Sequence, residues 1–192
     1  MAIDAARNTI YIENQAIPVP GISARLEAAL QRGVEVVALV PAVPEPYVST
    51  DRRLSEHRSR FDRLAALDRY ENFALVGIAT RTAEGTRANI YIHAKVMLVD
   101  DVWATIGSGN LHAGALFRNT EMNASFWDPP TVRALRCALL SEHLQTDTLS
   151  LDDRAAFRLY RRIARENRRR LDAGDPDWQG LAFRLDAAAY GE

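Results

Sequence analysis

Apolar positions along the chain alternate between two periods, short β-type runs and 3.6-residue stripes, and that alternation sets the expected fold. Thr9-Ile10-Tyr11-Ile12 is short, β-branched and aromatic and reads as a strand close to the N-terminus. After Pro18-Val19-Pro20-Gly21, the residues Ile22, Leu26, Ala29 and Leu30 share one helical face, with Gly33 placed to end the helix. Val34 to Val40 is then a continuous apolar run bounded by Pro41, the pattern of a buried strand. Strand, helix and strand in this order predict a parallel β-α-β unit.

Ala42 to Pro46 reads as a Pro-rich loop, followed by a helix capped by Ser49 or Thr50 and running to about Tyr70, with Leu54, Phe61, Leu64 and Leu67 inward. Phe73 to Ala79 is a strand and Thr82 to Arg87 a turn. Strands Ile90 to Val99 and Trp103 to Ile106 flank the turn pair Asp100-Asp101, and Glu121 to Phe126 forms another strand before Pro129-Pro130. Val132, Leu135, Leu139 and Leu140 mark one helix, and Phe157, Tyr160 and Ile163 mark a second within Asp152 to Leu171. The pattern predicts one α/β domain with a helical C-terminal extension. Arg161 to Arg170 is the marked charge run, read as a solvated helix face, with an anionic lipid surface as the alternative.

Composition narrows the class. The 192 residues are 47% apolar and 26% charged, which excludes a disordered or membrane-spanning chain. A net charge of −1 gives no global attraction to nucleic acid, and no stable nucleic-acid complex is expected. The single cysteine, Cys137, excludes an intramolecular disulfide and a Cys-rich metal site. Met1 to Asn8 carries Asp4 and Arg7 and has no apolar core of a signal sequence, and the run Val36 to Val40 is too short to span a bilayer. A chain without an export signal is expected, cytoplasmic or peripheral to the membrane. Of the 24 basic residues, 23 are arginine and one is lysine, Lys95.

That lysine sits in the densest chemistry of the sequence. His93-Ala-Lys95 precedes Asp100, and six residues later comes Gly107-Ser108-Gly109-Asn110. Side chains two apart on a strand share a face, so His93 and Lys95 are expected to point together, as are Ser108 and Asn110. An imidazole that titrates near neutrality, a compact ammonium, a hydroxyl and a carboxamide form a set suited to holding and attacking a phosphate. Gly107 and Gly109 let the backbone approach a ligand closely. Glu121, on its predicted strand, is expected to orient the His93 ring. Asp100 opens a turn and is assigned to backbone amides or Lys95 rather than to substrate. Glu13 and Gln15 share a face at the first strand's end, either lining the pocket or as satisfied polar groups. His57, His112 and His143 read as surface, packing or helix-end residues. Trp103, Trp127 and Trp178 read as core or interface anchors, with Trp127 the one to watch for a membrane or substrate contact.

The pattern H-x-K-x4-D-x6-G-S-x-N resembles the signature of the phospholipase D superfamily, and Asn119-Thr-Glu121-Met-Asn123 resembles the acidic segment that follows it there. Ile10-Tyr11-Ile12-Glu13-Asn14-Gln15 is similar to the segment opening the second catalytic half of phospholipase D, and Leu135 to Leu144 to the helix closing it. The resemblance implies a mixed sheet flanked by helices on both faces, with a catalytic half-domain over residues 1–145 and a helical extension over 146–192 packing on it. It also implies a phosphodiesterase or phosphatidyltransferase that needs neither metal nor cofactor and works through a phosphohistidine. His93, Lys95, Asp100, Ser108, Asn110 and Glu121 carry over as catalytic, with His93, Lys95, Ser108 and Asn110 on the phosphate. Gly109 stands where alanine is frequent, and Ala16-Ile17-Pro18 where aromatics are usual, a change that reshapes the pocket. The family mechanism uses two such motifs and this chain carries one. A homodimer or a separate motif-bearing half is therefore expected as partner, besides a phospholipid or other phosphodiester substrate. A non-catalytic half-domain and a metal-independent nuclease are the alternatives.

Overall fold

A computed structural model describes residues 2–192; Met1, the first residue of the expected N-terminal stretch, lies outside them. Among the described residues, eight strands form one mixed sheet: β1 (Thr9–Asn14), β2 (Glu35–Leu39), β3 (Phe73–Arg81), β4 (Arg87–Asn89), β5 (Lys95–Val99), β6 (Trp103–Gly107), β7 (Asn123–Trp127) and β8 (Ala182–Arg184). Their spatial order is β4-β3-β2-β1-β5-β6-β7, with β8 beside β3. β1, β2 and β3 run parallel, the first two joined by helix α2 (Pro20–Gln31), as the strand, helix, strand pattern predicts. From β1 onward the direction alternates, because β5, β6 and β7 are antiparallel neighbours.

Helices cover both faces, and each face has its own core. On one side, Leu26 and Leu30 of α2 pack with Val48 of α3 (Pro46–Arg53) and with Phe61, Leu64 and Leu67 of α4 (Arg58–Leu67) over Ile10, Ile12 and Val36. On the other, Val132, Leu140 and Leu144 of α6 (Pro129–Leu144) and Phe157, Tyr160 and Ile163 of α7 (Asp153–Asp172) cover Tyr11, Val37 and Leu98. β1 therefore has both faces buried, and each fully buried large side chain contributes about 1.5–3 kcal/mol. Arg136 of α6 forks onto Asp101 in the β5–β6 turn, its Nε at 3.0 Å and a terminal nitrogen at 2.6 Å, which fixes α6 against the antiparallel half. Among the described residues no helix is long and apolar enough to cross a membrane.

Several elements differ from the sequence expectation for identifiable reasons. The helix expected from Ser49 or Thr50 to Tyr70 starts earlier, at Pro46, and breaks at Leu54, which is extended at φ −86° and ψ 127° before a 3-10 turn at Ser55–His57. Val48 and Phe61 would stand about 220° apart on one continuous helix, so the break is what lets both face the core. Leu54, expected inward, is exposed instead. The strand expected from Ile90 begins only at Lys95, opposite Asn14, because β1 ends there and the following chain, with its Pro18, offers no further ladder. Short elements without a periodic signal were not expected: α1 (Ala2–Ala5), α5 (Ala113–Phe117), β4 and β8. Residues after 145 supply α7 and also β8, so the tail adds to the sheet as well as covering it.

Glu13 and His143 are linked through the Tyr11 hydroxyl in the second core. The Tyr11 hydroxyl donates to Glu13 at 2.7 Å, and His143 Nδ1 lies 3.2 Å from the hydroxyls of both Tyr11 and Tyr160. Burial pulls the His143 imidazole down to about 4 and pushes the Glu13 carboxyl up. As pH falls, an unfolded chain takes the imidazole proton near ~6.5, before the folded one does. His143 thus contributes stability that is complete above ~pH 6.5 and drains away towards pH 4. Glu13 acts in the opposite sense just above the ordinary carboxyl range. Urea unfolding is expected to show a His143-dependent loss of up to ~3 kcal/mol across that window. His143→Gln should flatten this part of the slope, and an unaltered slope counts against the assignment.

Candidate active site

The alternating strand directions bring four chain segments to one end of the sheet. β1 finishes there at Asn14, β5 starts there at Lys95, β6 finishes at Gly107 and β7 starts at Asn123, with Asn14 opposite Lys95 and Gly107 opposite Asn123. His93, Gln15, the Gly107 to Asn110 turn and Glu121 extend from these ends.

Lys95 is held from two sides. Its Nζ donates to the His93 carbonyl at 2.7 Å and to Gln15 Oε1 at 3.1 Å. Gln15 in turn donates to the Tyr91 hydroxyl at 2.7 Å and to Glu45 at 3.3 Å, and Tyr91 donates to the same Glu45 oxygen. That bond to Glu45 pushes the Tyr91 hydroxyl up to about 12. Partial burial draws the Lys95 ammonium below the ordinary lysine range, opposed by the Glu121 carboxylate. The His93 ring is exposed and stacks on Tyr91 at 6.3 Å and 22°. A stacked, exposed imidazole beside a fixed ammonium is positioned to meet a ligand arriving from solvent.

Ser108 anchors the other half. Its hydroxyl donates to Glu121 at 2.5 Å and accepts the Met122 amide at 3.0 Å, while the Gly109 amide donates to Asn123 Oδ1 at 3.2 Å. Glu121, expected to orient the His93 ring, has its Oε2 bonded to Ser108, since β7 begins at Asn123 and leaves Glu121 over the Ser108 turn. Gly107 is demanded by close approach, since a Cβ there would stand 2.2 Å from the Met122 carbonyl. Asn110 joins the group with a buried Oδ1 that has no partner. Gln15 reaches the site, but Glu13 does not; it is two residues earlier on β1 and turned into the core, bonded to Tyr11.

Asp100 lies at the opposite end of the sheet. Its carboxylate accepts the backbone amides of Arg7, Asn8 and Thr9, each at 2.8 Å, and so clamps the start of β1 onto the β5–β6 turn. Asp100 and Asp101 both have φ of 55°, a left-handed conformation that Asp tolerates in turns. Its task is on backbone amides, remote from Lys95, because β5 runs its whole length between the two residues.

Sequence reasoning missed Asn14, Glu45, Tyr91 and Asn123. Asn14 accepts the amides of Ala16 and Leu111 at 3.0 and 3.2 Å, tying the 109–112 segment to β1. Tyr91 carries a signal that was available, the two-residue spacing that runs 91, 93, 95. Glu45 sits in a Pro-rich loop without periodicity, and only the fold brings it near.

Residues 1–142 match the family described as cardiolipin synthase, PLD-like domain. The chain is similar to the probable cardiolipin synthase YwiE of Bacillus subtilis, 26% identical over 149 residues, which cover 77% of this chain and 26% of that one. Cardiolipin synthase 2 of Bacillus anthracis is 28% identical over 170 residues, 88% of this chain and 30% of the relative. The chain thus spans less than a third of the length of these relatives. Among solved structures, the phospholipase D family member Nuc from Salmonella typhimurium superposes with a TM-score of 0.50 at 24% identity, covering 70% of this chain and 77% of that one. NucT from Helicobacter pylori gives 0.52 at 18% identity, over 70% and 78% of the two chains. Both share the fold.

The Asp100 clamp makes a graded prediction. Asp100→Ala orphans three amides and is expected to cost about 2–4 kcal/mol in urea unfolding. Asp100→Asn keeps one oxygen for Asn8 and Thr9 and should cost about 1 kcal/mol. Equal losses in the two variants would contradict the clamp.

Proposed function

The chain belongs to the phospholipase D superfamily, and we propose on that footing that it is one half of a phosphodiesterase or phosphatidyltransferase centre completed by a second copy of its motif. The observation that carries this reading is that the strand ends bring Lys95, the exposed His93 and the Ser108 to Asn110 turn to one end of the sheet. Lys95 and the Asn110 amide N–H groups hold the non-bridging oxygens, which gain charge as phosphorus becomes five-coordinate, and Ser108 joins them when its hydroxyl proton turns from Glu121 to the phosphate. His93 attacks phosphorus; a P–N bond forms as the bond to the leaving alcohol breaks, and the partner's imidazole gives that alcohol its proton. Water or a second alcohol, deprotonated by the same partner imidazole, then attacks phosphorus, breaks the P–N bond and frees His93.

One imidazole cannot fill both roles, so the reading requires a second motif. The surface beside the site supports it. β7 is an open edge, and Met122 directly before it is 83% exposed, an apolar margin suited to pairing with a second copy. A phospholipid is favoured as substrate by the cardiolipin synthase relatives and by the net charge of −1, which gives no attraction to DNA.

The test incubates the protein with labelled phospholipid vesicles and with plasmid DNA, both in excess chelator. Phospholipid turnover with intact plasmid is expected, lost completely in His93→Ala. Lys95→Arg should fold normally and lose on the order of 10²-fold in rate, because the planar fork replaces a compact three-donor charge. Sedimentation should give a dimer mass for the active species. Turnover by a strict monomer, or turnover abolished by chelator, overturns the reading; signal on neither substrate favours a non-catalytic half-domain.

A further inference from the structure

One carboxylate stands behind both reactive side chains of the site. Glu45 lies between two prolines, in Pro44-Glu45-Pro46, directly before α3. A residue that precedes proline is driven to extended backbone, and Glu45 has φ −56° and ψ 145°. It holds the position from which a side chain commonly caps a helix, yet its carboxylate makes no cap bond. Backbone closes the helix start instead, the Val48 amide donating to the Glu45 carbonyl at 2.9 Å. The side chain turns to the sheet end, on a backbone that Pro46 restricts.

From Glu45 the hydrogen bonds run in one direction. A carboxylate only accepts, so the Tyr91 hydroxyl gives its proton to Glu45 and keeps a lone pair for Gln15 Nε2, which donates to it at 2.7 Å. Gln15 Nε2 also reaches Glu45 itself, at 3.3 Å. With its nitrogen held on that side, Gln15 turns Oε1 to Lys95 Nζ at 3.1 Å. A flipped amide would set N–H groups against an ammonium, donor against donor. A second N–H of Lys95 goes to the His93 carbonyl at 2.7 Å, which leaves the third for a ligand, in a direction the other two define.

The same carboxylate governs the imidazole. Tyr91 is 52% exposed, and an exposed side chain without an anchor keeps its rotational freedom. With its hydroxyl bonded to Glu45, the Tyr91 ring presents a fixed face to the stacked His93 ring. We propose that Glu45 is a positioning residue, one carboxylate that aims the Lys95 ammonium, through Gln15, and the His93 imidazole, through Tyr91, at an incoming phosphodiester. The inference rests on the phosphodiesterase reading above and adds the residue that fixes its geometry.

Lys95 reports on it without interference, because it is the only lysine of the chain. Labelled at lysine, the full chain gives a single lysine side-chain NMR signal, whose relaxation measures how tightly that side chain is held. Turnover of bis-p-nitrophenyl phosphate and urea unfolding are followed on the same proteins. Glu45→Ala should loosen Lys95 and lower kcat about tenfold, with KM and the urea midpoint unchanged. Glu45→Gln keeps one acceptor oxygen and should recover most of both, to within about threefold of the parent rate. An unchanged Lys95 signal or an unchanged kcat in Glu45→Ala refutes the proposal. A loss that Glu45→Gln fails to recover, or one that comes with a lowered urea midpoint, makes the role structural and refutes it too. If no protein turns over the phosphodiester, the parent included, the phosphodiesterase reading fails, and the Lys95 signal still upholds or refutes the anchoring by Glu45.

Discussion

The pairing of β1 with β5 is the constraint on which the rest of the structure depends. It is the seam between the parallel and antiparallel halves of the sheet, and its register sets Asn14 against Lys95 at one end and Ile10 against Val99 at the other. A slip of one residue would turn every side chain of β1 to the opposite core. Side chains guard both ends. Asp100 gathers the amides before β1, and Asn14 ties the 109–112 segment to the strand's last residue. The ammonium, the hydroxyl turn and the carboxamide of the site thereby hang from strand ends already fixed by backbone pairing, so little side-chain freedom remains to be lost when a ligand is held.

Much of the fold was legible because long apolar runs leave few choices. A buried parallel strand such as Val34 to Val40 is nearly continuous in Val, Leu and Ala, and the stripe of α7 keeps a strict helical period. What escaped was decided by tertiary context. The break at Leu54 answers a phase conflict between Val48 and Phe61, visible only once both are known to face one core. β4 and β8 are three residues each and exist because β3 offers an edge. The site was legible in its residue types, from His93 to Glu121, and less so in its wiring. Parity along a strand puts Glu13 and Gln15 on one face, as pocket lining or as satisfied polar groups, yet β1 ends between them; Gln15 reaches Lys95, while Glu13 is bonded to Tyr11 in the core.

The lone lysine acquires a structural setting. Among 24 basic residues, the arginines serve as forks onto carboxylates and carbonyls, as Arg136 does on Asp101 and Arg60 on Asp51 and Ile17. Lys95 alone occupies a place where the bonded groups, the His93 carbonyl and Gln15, converge on a single nitrogen. The donors of a planar guanidinium diverge where these acceptors converge.

The late return of the chain to the sheet bears on how the molecule is made. β8 lies about a hundred residues beyond the strand it joins, and α7, which seals one face of β1, β2 and β3, comes only shortly before it. On a ribosome the three parallel strands emerge with that face bare, and the Val76–Ile78 edge of β3 unpaired, until residues 153–184 have followed. Non-local closure of this kind is slow, and open edges at that stage invite mispairing between nascent chains. The charged outer face of α7 is thus added late to an apolar surface already presented by β1, β2 and β3, which places the window of greatest aggregation risk before residues 153–184 are synthesised.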